Sequence, residues 1–534
     1  MMRQLTRRCA ARCLALAVAA PAALGLLGGT AAAQTTLRVI PQADLKNIDP
    51  IWTTAYITRN HGYLVYDTLF ALDENFEPQP QMVDTYEVSE DGLTYSFVLR
   101  EGLTFHDGAP VTAEDVVASL QRWGKRDAMG IQLMASTASL EAKDERTVVL
   151  TLSEPYGLVL QSLGKASSNV PFIMPKRIAE TDPFTQIDEV IGSGPFKFEQ
   201  AEWVPGSKVV YTKFADYKPR SEAPSFASGG KLAKVDRVEW LYIPDANTAL
   251  NAMVSGEVDY WEQPPVDLLP ILQSTPDLTV ETTDPLGSHG VARFNHLHPP
   301  FDDVKVRQAV LMTIDQERYM QAGVGNPEYY NADCWSYYTC NSPVATDAGS
   351  EAYKGKGIEA AKALLAESGY DGEPVVLLQP VDIPVTNAAA LLTAEALREI
   401  GMNVDLQAMD WATATSRRAS RETPQNGGWS MFFTWWVGAD VLNPLANASL
   451  KASGDDSWFG WATDARMEEL RTAFAKASDP EEQKRIAVEA SKQAYQFVPY
   501  GIFGHWTQPV AYNNRLNGVL KSPVPLFWNI EKAG

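Results

Sequence analysis

The chain has 534 residues, of which 45% are hydrophobic, so it is long enough for two or three domains with large apolar cores and is not a disordered protein. Its formal net charge at pH 7 is −21. A body this acidic repels a phosphate backbone, which argues against nucleic-acid binding.

The first 33 residues have the pattern of a secretory signal peptide. Four arginines lie within the first twelve residues, an alanine-rich apolar run follows over residues 14–27, and residues 31–33 offer an A-x-A cleavage site. The apolar run is interrupted by proline and glycine and is shorter than the roughly 20 residues that a membrane anchor needs. We therefore expect cleavage near Gln34 and an exported, soluble product.

Along the mature chain, residues 36–41 predict a first strand, and residues 57–70 predict a helix whose aromatic and apolar side chains recur at helical spacing. A polar loop with several aromatic residues, ending at Tyr56, joins the two elements. Pro78 and Pro80 mark the boundary of this first part.

The next unit covers residues 80–187. An Asp-Gly pair at residues 91–92 is a hairpin turn signal, and the alternation that follows it up to Arg100 is typical of a strand. Residues 102–108 predict a second short strand and a turn. Thr112 is expected to start a helix as its N-cap, because acidic residues occupy the positions of the first turn.

The second half of the chain contains five helical patterns and, among them, a strand-like segment at residues 404–407. The helices are expected at residues 303–322, 357–368, 388–400, 463–476 and 479–497. Strands that alternate with helices predict an α/β protein.

Cys334 and Cys340 are the cysteines that remain after the predicted signal peptide. Two cysteines this close together in an exported protein predict one disulfide bond, which would stabilise the fold by about 2 kcal/mol. A redox or metal-binding pair is the alternative, but the spacing is not C-x-x-C and no histidine pair follows at the distance typical of zinc ligands.

Residues 431–440 (MFFTWWVGAD) are the stretch most suggestive of a ligand site. An apolar run leads to Trp435 and Trp436, Gly438 then opens the backbone, and Asp440 adds one negative charge. Neighbouring side chains of a strand point to opposite faces, so one tryptophan can pack inward while the other faces a cleft. Aromatic walls beside one carboxylate suit a ligand with an apolar body and a positive end. A core strand that ends in a solvated turn aspartate is the alternative.

Sequence signals for catalysis or for a metal centre are weak. The G-x-G-x-x-A pattern at residues 355–360 follows no strand, which argues against nucleotide binding. Neither a G-x-S-x-G motif nor a Ser/His/Asp ordering stands out. His296 and His298 could bind nickel as neutral imidazoles, but the prolines after them favour a solvated loop. We therefore predict no catalytic residue, no metal and no cofactor.

The chain contains 14 tryptophans and 20 tyrosines, more than cores usually require. Several of these rings lie in polar loops rather than in periodic stripes, which favours a cleft with stacking surfaces. These residues are Trp52, Tyr56, Trp335, Trp411, Trp435, Trp436, Trp458, Trp461 and Trp506.

Residues 91–116 (DGLTYSFVLREGLTFHDGAPVTAEDV) are similar to the hallmark segment of extracellular solute-binding proteins of family 5, the peptide/nickel/opine class that serves ABC importers. Residues 192–198 resemble the glycine-rich strand entry of this family, residues 246–259 its helix-to-strand step, and residues 294–310 its inter-lobe crossing and following helix. The blocks occur in one order, and the resemblance extends from about residue 36 to the C-terminus.

This resemblance implies the two-lobed periplasmic-binding-protein type II fold (cluster C), with an extra subdomain in the first lobe. The expected domains are a signal peptide at 1–33, lobe I at 34–79, its extra subdomain at 80–187, lobe I again at 188–290, lobe II at 291–505, and a return to lobe I at 506–534.

For peptide ligands, the resemblance implies that an aspartate before an Asn-Pro pair holds the amino group of the ligand, and this position is Asp440, before Asn443 and Pro444. Trp411 matches a pocket tryptophan of the family. Dipeptide-binding members carry a carboxylate-binding arginine about thirty residues earlier, and residues 379–384 contain none, which weakens a dipeptide assignment. The expected ligand-binding residues are Tyr56, Trp411, Trp435, Trp436, Gly438 and Asp440.

We therefore expect a monomeric periplasmic protein that captures a peptide, an amino-group-bearing metabolite or another cationic solute and delivers it to an ABC permease at the inner membrane. An opine, a sugar or a nickel chelate bound in the same fold is the alternative. A secreted peptide hydrolase, or a chaperone or sensor with this fold, represents a different class of function.

Overall fold

The computed structural model describes residues 34–533, apart from the side chain of Ala412, so the predicted signal peptide lies outside the described residues. The strands are β1 (Thr36–Ile40), β2 (Phe70–Leu72), β3 (Pro78–Pro80), β4 (Val83–Val88), β5 (Thr94–Leu99), β6 (Thr137–Ala142), β7 (Thr147–Leu152), β8 (Phe196–Phe198), β9 (Lys208–Lys213), β10 (Arg237–Leu241), β11 (Tyr260–Trp261), β12 (Leu278–Glu281), β13 (Ser288–Phe294), β14 (Tyr330–Asn331), β15 (Pro374–Pro380), β16 (Asn403–Met409), β17 (Met431–Val437), β18 (Tyr500–Trp506), β19 (Val510–Asn513), β20 (Leu516–Asn517) and β21 (Glu531–Lys532).

The α-helices alternate with these strands, as the sequence predicts for an α/β protein. They are α1 (Tyr56–Val65), α2 (Ala113–Trp123), α3 (Ala128–Ala135), α4 (Val159–Leu163), α5 (Lys176–Ala179), α6 (Ala246–Val254), α7 (Leu269–Ser274), α8 (Val304–Met312), α9 (Gln316–Gly323), α10 (Gly357–Ala366), α11 (Pro384–Glu399), α12 (Trp411–Arg417), α13 (Ala465–Lys476) and α14 (Pro480–Phe497). Within residues 34–533, every helix is too short or too polar to span a bilayer.

A seven-stranded sheet with the order β12-β19-β11-β1-β10-β9-β8 organises the first lobe. Strand β1 lies between β10 and β11 and pairs with both in parallel. Strand β19, from near the C-terminus, pairs antiparallel with β11 and β12. Segments near the start and the end of the described residues therefore lie in one sheet.

A six-stranded sheet with the order β14-β18-β13-β17-β15-β16 organises the second lobe. The apolar run of β17 lies near its centre, antiparallel to β13 and parallel to β15. In this register Val291 pairs with Thr434, and Ser288 pairs with Val437 at the end of the strand. This central position explains the almost complete burial of residues 431–434, since both faces of the strand are covered.

The four-stranded antiparallel sheet β4-β5-β7-β6 lies within the segment predicted as an extra subdomain. Helix α2 packs beside it and begins as the sequence predicts, because the Thr112 side chain accepts from the Asp115 backbone N–H while Asp115 accepts from the Thr112 N–H, a capping box. The α/β two-lobed class is confirmed, and the exact domain limits stay a prediction.

Three predicted elements are wrong in detail. The helix expected at 57–70 ends at Val65, and Phe70 begins strand β2; its apolar side chains are buried as expected, but partly in a strand. The helix expected at 303–322 is divided into α8 and α9 because Asp315 accepts from the Arg318 N–H and caps a new helix.

The strand expected at residues 102–108 is instead a pair of turns. The Phe105 N–H donates to the Ala109 carbonyl, and the Gly108 N–H donates to the Phe105 carbonyl. An isolated bridge joins Thr104 to Pro110, and the Val111 N–H donates to the Leu103 carbonyl at 3.0 Å, so the segment pairs with itself around a turn and forms no strand of a sheet.

Candidate functional site

A cavity of about 700 Å³ lies where residues of both large sheets meet. One side is formed by residues that follow β1 and β11, together with the start of α1. The other side is formed by the ends of β13, β17 and β18, the end of α9 and the face of α12. A cavity of this size is typical of sites for small organic ligands.

Six of the nine loop aromatics singled out in the sequence line this cavity, which supports the prediction of a cleft with stacking surfaces. They are Tyr56, Trp411, Trp435, Trp436, Trp458 and Trp506. The structure places Trp52, Trp335 and Trp461 outside the lining.

Two tryptophan pairs form the aromatic wall. The rings of Trp411 and Trp435 have their centroids 5.2 Å apart, and those of Trp436 and Trp458 lie 5.1 Å apart. Trp435 and Trp436 point to opposite faces of β17, yet both reach the cavity because they lie at the end of the strand. Trp436 is 8% exposed and its Nε1–H donates to the Ser449 hydroxyl at 2.9 Å, whereas Trp435 is half-buried.

Helix α12 presents Trp411 to the cavity from its first turn. The side chain of Asp410 caps the helix by accepting from the Thr413 N–H at 2.8 Å, and Asp382 accepts from the Trp411 N–H at 2.8 Å. Arg418 follows seven residues later, two turns along, and therefore faces the same cavity.

Arg418 is a cation among aromatic rings. Its guanidinium carbon lies 5.9 Å from the ring centre of Trp411, 5.4 Å from that of Trp458 and 5.0 Å from that of Phe459. Its Nε is buried without a hydrogen-bond partner, and no carboxylate within residues 34–533 pairs with it. Burial lowers the pKa of Arg418 to about 10, and nearby Tyr56 opposes this shift, so the side chain stays charged at neutral pH.

Asp440 lies outside the cavity lining, behind Tyr56. The Tyr56 hydroxyl donates to Asp440 Oδ2 at 3.0 Å and accepts from the Val437 N–H at 2.9 Å. The hydroxyls of Ser168 and Ser167 donate to the same oxygen at 2.9 and 3.3 Å. We call these residues, Tyr56, Ser167, Ser168 and Asp440, the carboxylate cluster.

Electrostatics in the carboxylate cluster depend on burial. Asp440 is only 6% exposed, and this desolvation raises the pKa of its carboxyl group, an effect that nearby Lys165 and Arg59 oppose. Arg59 is buried, lies over the Tyr56 ring at 4.7 Å and donates to the Ser167 hydroxyl at 2.6 Å. Burial makes the ionised form of Asp440 unfavourable, so a cation placed beside this carboxylate would stabilise its charged form.

Gly438 does not line the cavity. A Cβ at this position would lie 2.5 Å from Leu286 Cβ and 2.8 Å from the Leu286 carbonyl oxygen. The glycine is therefore needed for the close approach of two backbone segments, which sets the position of the turn that carries Asp440.

A disulfide bond joins Cys334 to Cys340, with their Cα atoms 6.0 Å apart. Within this loop the Thr339 N–H donates to the Val441 carbonyl at 3.0 Å, and its hydroxyl donates to the Leu286 carbonyl at 2.7 Å. The predicted disulfide is confirmed, and the loop it closes supports the turn that carries Asp440.

The two histidines considered as nickel ligands contact different backbone carbonyls. His296 Nε2 lies 3.4 Å from the Pro499 oxygen, and His298 Nε2 lies 2.9 Å from the Arg421 oxygen. Across residues 34–533, the structure holds no group of three or more His, Cys, Asp or Glu side chains placed to bind a metal ion.

Sequence reasoning missed Arg418. The available signal was its position seven residues after Trp411, which would place both on one face of a helix. The sequence analysis predicts no helix over this segment, so the shared face of Trp411 and Arg418 was not recognised.

Comparison with known proteins identifies the family of this chain. Residues 77–458 match the family of bacterial extracellular solute-binding proteins, family 5 middle. The chain belongs to this family. Its members are named as binding proteins rather than enzymes, and the family is extracellular or periplasmic.

Named relatives cover nearly the full length of this family member. The chain is 39% identical over 505 residues to the probable peptide ABC transporter periplasmic-binding protein y4tO of Sinorhizobium fredii, covering 94% of each. It is 25% identical over 496 residues to the glutathione-binding protein GsiB of Salmonella typhi, covering 90% of this chain and 91% of GsiB.

Solved structures share the fold. The binding protein AgaA of A. tumefaciens R10, in complex with agropinic acid, superposes with a TM-score of 0.78 at 23% identity, covering 93% of this chain and 99% of AgaA. At this identity the likeness supports the two-lobed fold and not the ligand.

Proposed function

We propose that this chain is the solute-binding component of an ABC importer, which captures a small solute in the periplasm and delivers it to a permease at the inner membrane. The observation that carries the proposal is the cavity of about 700 Å³ between residues of the two lobes, with an aromatic wall on one side. A monomer that closes over its ligand by hinge motion needs no covalent chemistry, so the solute is released unchanged.

The proposed ligand is a peptide or another solute with a positively charged amino group. The names of y4tO and GsiB, a peptide-binding and a glutathione-binding relative, support this class. Trp411 and Trp435 would stack against an apolar part of the ligand, and the carboxylate cluster lies directly behind Tyr56. The expected roles of Tyr56, Trp411, Trp435, Trp436 and Asp440 are kept in the proposal; Gly438 positions the backbone.

An ammonium group would act on Asp440 by replacing one of its hydroxyl donors. Ser168 and Tyr56 hydroxyls satisfy Oδ2 in the free protein, and a ligand cation would supply both hydrogen bonds and opposite charge. Binding would then lower the raised pKa of Asp440, so affinity is expected to fall as acidification protonates this carboxyl group.

Native mass spectrometry of the purified protein tests the ligand class directly. A retained peptide or amino-group-bearing metabolite supports the proposal. Detection of an opine, a sugar or a nickel chelate would contradict the proposed ligand class but not the proposed transport function. Conversion of added peptides into products would point to a secreted hydrolase instead.

Calorimetry with the identified solute tests Asp440. We expect Asp440→Ala to weaken binding by about tenfold or more, the effect of removing one partner of a buried charge pair. Asp440→Asn keeps an acceptor for the hydroxyls and removes the charge, so it should weaken binding to a similar degree while preserving the local contacts. Unchanged affinity in both variants would remove Asp440 from the site.

A further inference from the structure

Within the described lining of the cavity, Arg418 and Asp267 are the residues that carry a formal charge at neutral pH. Asp267 is exposed and lies on the segment after β11. Arg418 is largely covered by rings, and its Nε is fully buried. A ligand in the cavity therefore meets one desolvated positive charge.

The environment of Arg418 leaves its hydrogen-bonding capacity unused. A guanidinium group has five N–H donors in a planar fork, and aromatic faces offer it electrostatic attraction but no acceptor atom. The buried Nε has no partner within residues 34–533. A buried donor without an acceptor is costly, so an incoming acceptor would gain more here than at an exposed arginine.

Two neighbouring arginines, Arg417 and Arg421, differ from Arg418 because their side chains pair with oxygen atoms of the protein. Arg417 donates to two backbone carbonyls of the loop before β17, at 3.1 and 2.8 Å. Arg421 pairs with Asp455 and lies over the Trp461 ring at 4.8 Å. The Arg418 side chain has neither a carbonyl nor a carboxylate partner among the described residues, so aromatic rings are its contacts and its N–H donors stay available.

We propose that Arg418 receives a carboxylate group of the bound solute; this inference rests on the proposed function and extends it. A planar carboxylate matches the fork of one guanidinium, whereas a dianionic phosphate would find no second cation in the described lining and would be repelled by the acidic body. The ligand is then zwitterionic. Its amino end is directed to the carboxylate cluster and its carboxylate to Arg418, with the rings of Trp411 and Trp458 against the part between.

The position of Arg418 bears on whether the protein recognises a carboxylate of its ligand, which the sequence did not decide. Residues 379–384 lack the arginine that dipeptide-binding members use, which weakens a dipeptide assignment and leaves undecided whether a carboxylate is recognised. Arg418 supplies an equivalent charge from helix α12, so a free carboxylate remains a requirement for binding even though its receptor lies elsewhere in the chain.

Binding of matched free acids and amides tests the proposal. The probe is a pool of tripeptides with free C-terminal carboxylates and the same pool with C-terminal amides, offered to the full mature protein and analysed by native mass spectrometry. The best-retained sequence is then measured in both forms by calorimetry. We expect the free acid to bind about tenfold or more tightly than its amide, since amidation removes the charge that Arg418 would pair.

Variants assign this preference to one side chain. Arg418→Gln should bind acid and amide equally, and Arg418→Lys should retain part of the preference because it keeps the charge and loses the fork. The matched control is Arg421→Gln, which also loses a charge stacked on a tryptophan, lies outside the cavity lining and should discriminate like the wild type.

The outcomes separate this inference from the proposed function. Equal binding of acids and amides by the wild type, or an unchanged acid preference in Arg418→Gln, overturns the role of Arg418 and leaves the peptide proposal standing. Failure of both pools to bind rejects a peptide as the ligand, and with it a peptide carboxylate as the partner of Arg418, and leaves the transport function standing. If Arg418→Gln does not fold, Arg418→Lys serves in its place, and an acid preference equal to that of the wild type in this variant overturns the role of the Arg418 fork.

Discussion

Asp440 and Arg418 carry opposite charges close to one cavity, but their surroundings differ. Asp440 lies outside the lining, and three hydroxyl groups donate to a single oxygen of its carboxylate. Arg418 lies in the lining, and its buried Nε has no partner in the described part of the chain. In the free protein the charge of Asp440 is therefore already engaged by hydroxyl groups of the fold, whereas the hydrogen-bond donors of Arg418 are not engaged.

The largest expected effect is on the free energy of unfolding when each of the two charges is removed. Asp440→Ala leaves the hydroxyls of Tyr56 and Ser168 without their acceptor, so we expect a loss of about 3 kcal/mol in the free energy of unfolding. Arg418→Gln breaks no ion pair within residues 34–533 but removes the charge from the surrounding rings, so we expect a smaller loss of about 1 kcal/mol. Urea denaturation of both variants measures the contrast, and equal losses would show that Arg418 is also a structural member.

A second test uses Glu262, which extends the network of the carboxylate cluster. Asn60 donates to Glu262 at 3.0 Å and accepts from Arg59 at 2.8 Å, and Arg59 in turn donates to Ser167. Burial raises the pKa of Glu262 from 4.5 to about 7. The folded state therefore binds more protons than the unfolded state between these values, and this residue's contribution to stability falls as pH rises through that window.

Glu262→Gln should remove this dependence. Between pH 4.5 and 7, the wild type is expected to lose about 2 kcal/mol of stability relative to the variant, measured by urea denaturation at both ends of the window. Parallel pH profiles for the two proteins would mean that Glu262 titrates normally and that the network is more hydrated than its burial indicates.

The smallest effect is expected at the aromatic wall. Trp435→Ala should weaken ligand binding by about tenfold because it removes one ring of the tilted pair that Trp435 forms with Trp411. The control is Trp203→Ala, which removes another half-buried tryptophan, from outside the cavity lining, and should leave affinity unchanged. Equal effects of both variants on binding would argue against a contact between Trp435 and the ligand.

Much of the fold could be predicted because its signals are local. The N-cap at Thr112, the disulfide between Cys334 and Cys340, and the apolar strand at residues 431–437 depend on nearby residues and on periodicity. The helix expected at 57–70 was wrong beyond Val65 because the same buried residues also fit a strand, and only the pairing of β2 with β3 decides between the two.

The sequence by itself determined the α/β class, the family resemblance, the aromatic set and the presence of Asp440 beside two tryptophans. The tertiary structure decided which of these groups line the cavity. It brought the hydroxyls of Tyr56 and Ser168 to Asp440 from distant parts of the chain and left Arg418 unpaired in the cavity. The physical reason is that burial and pairing of a charge depend on contacts between segments hundreds of residues apart, which no local pattern specifies.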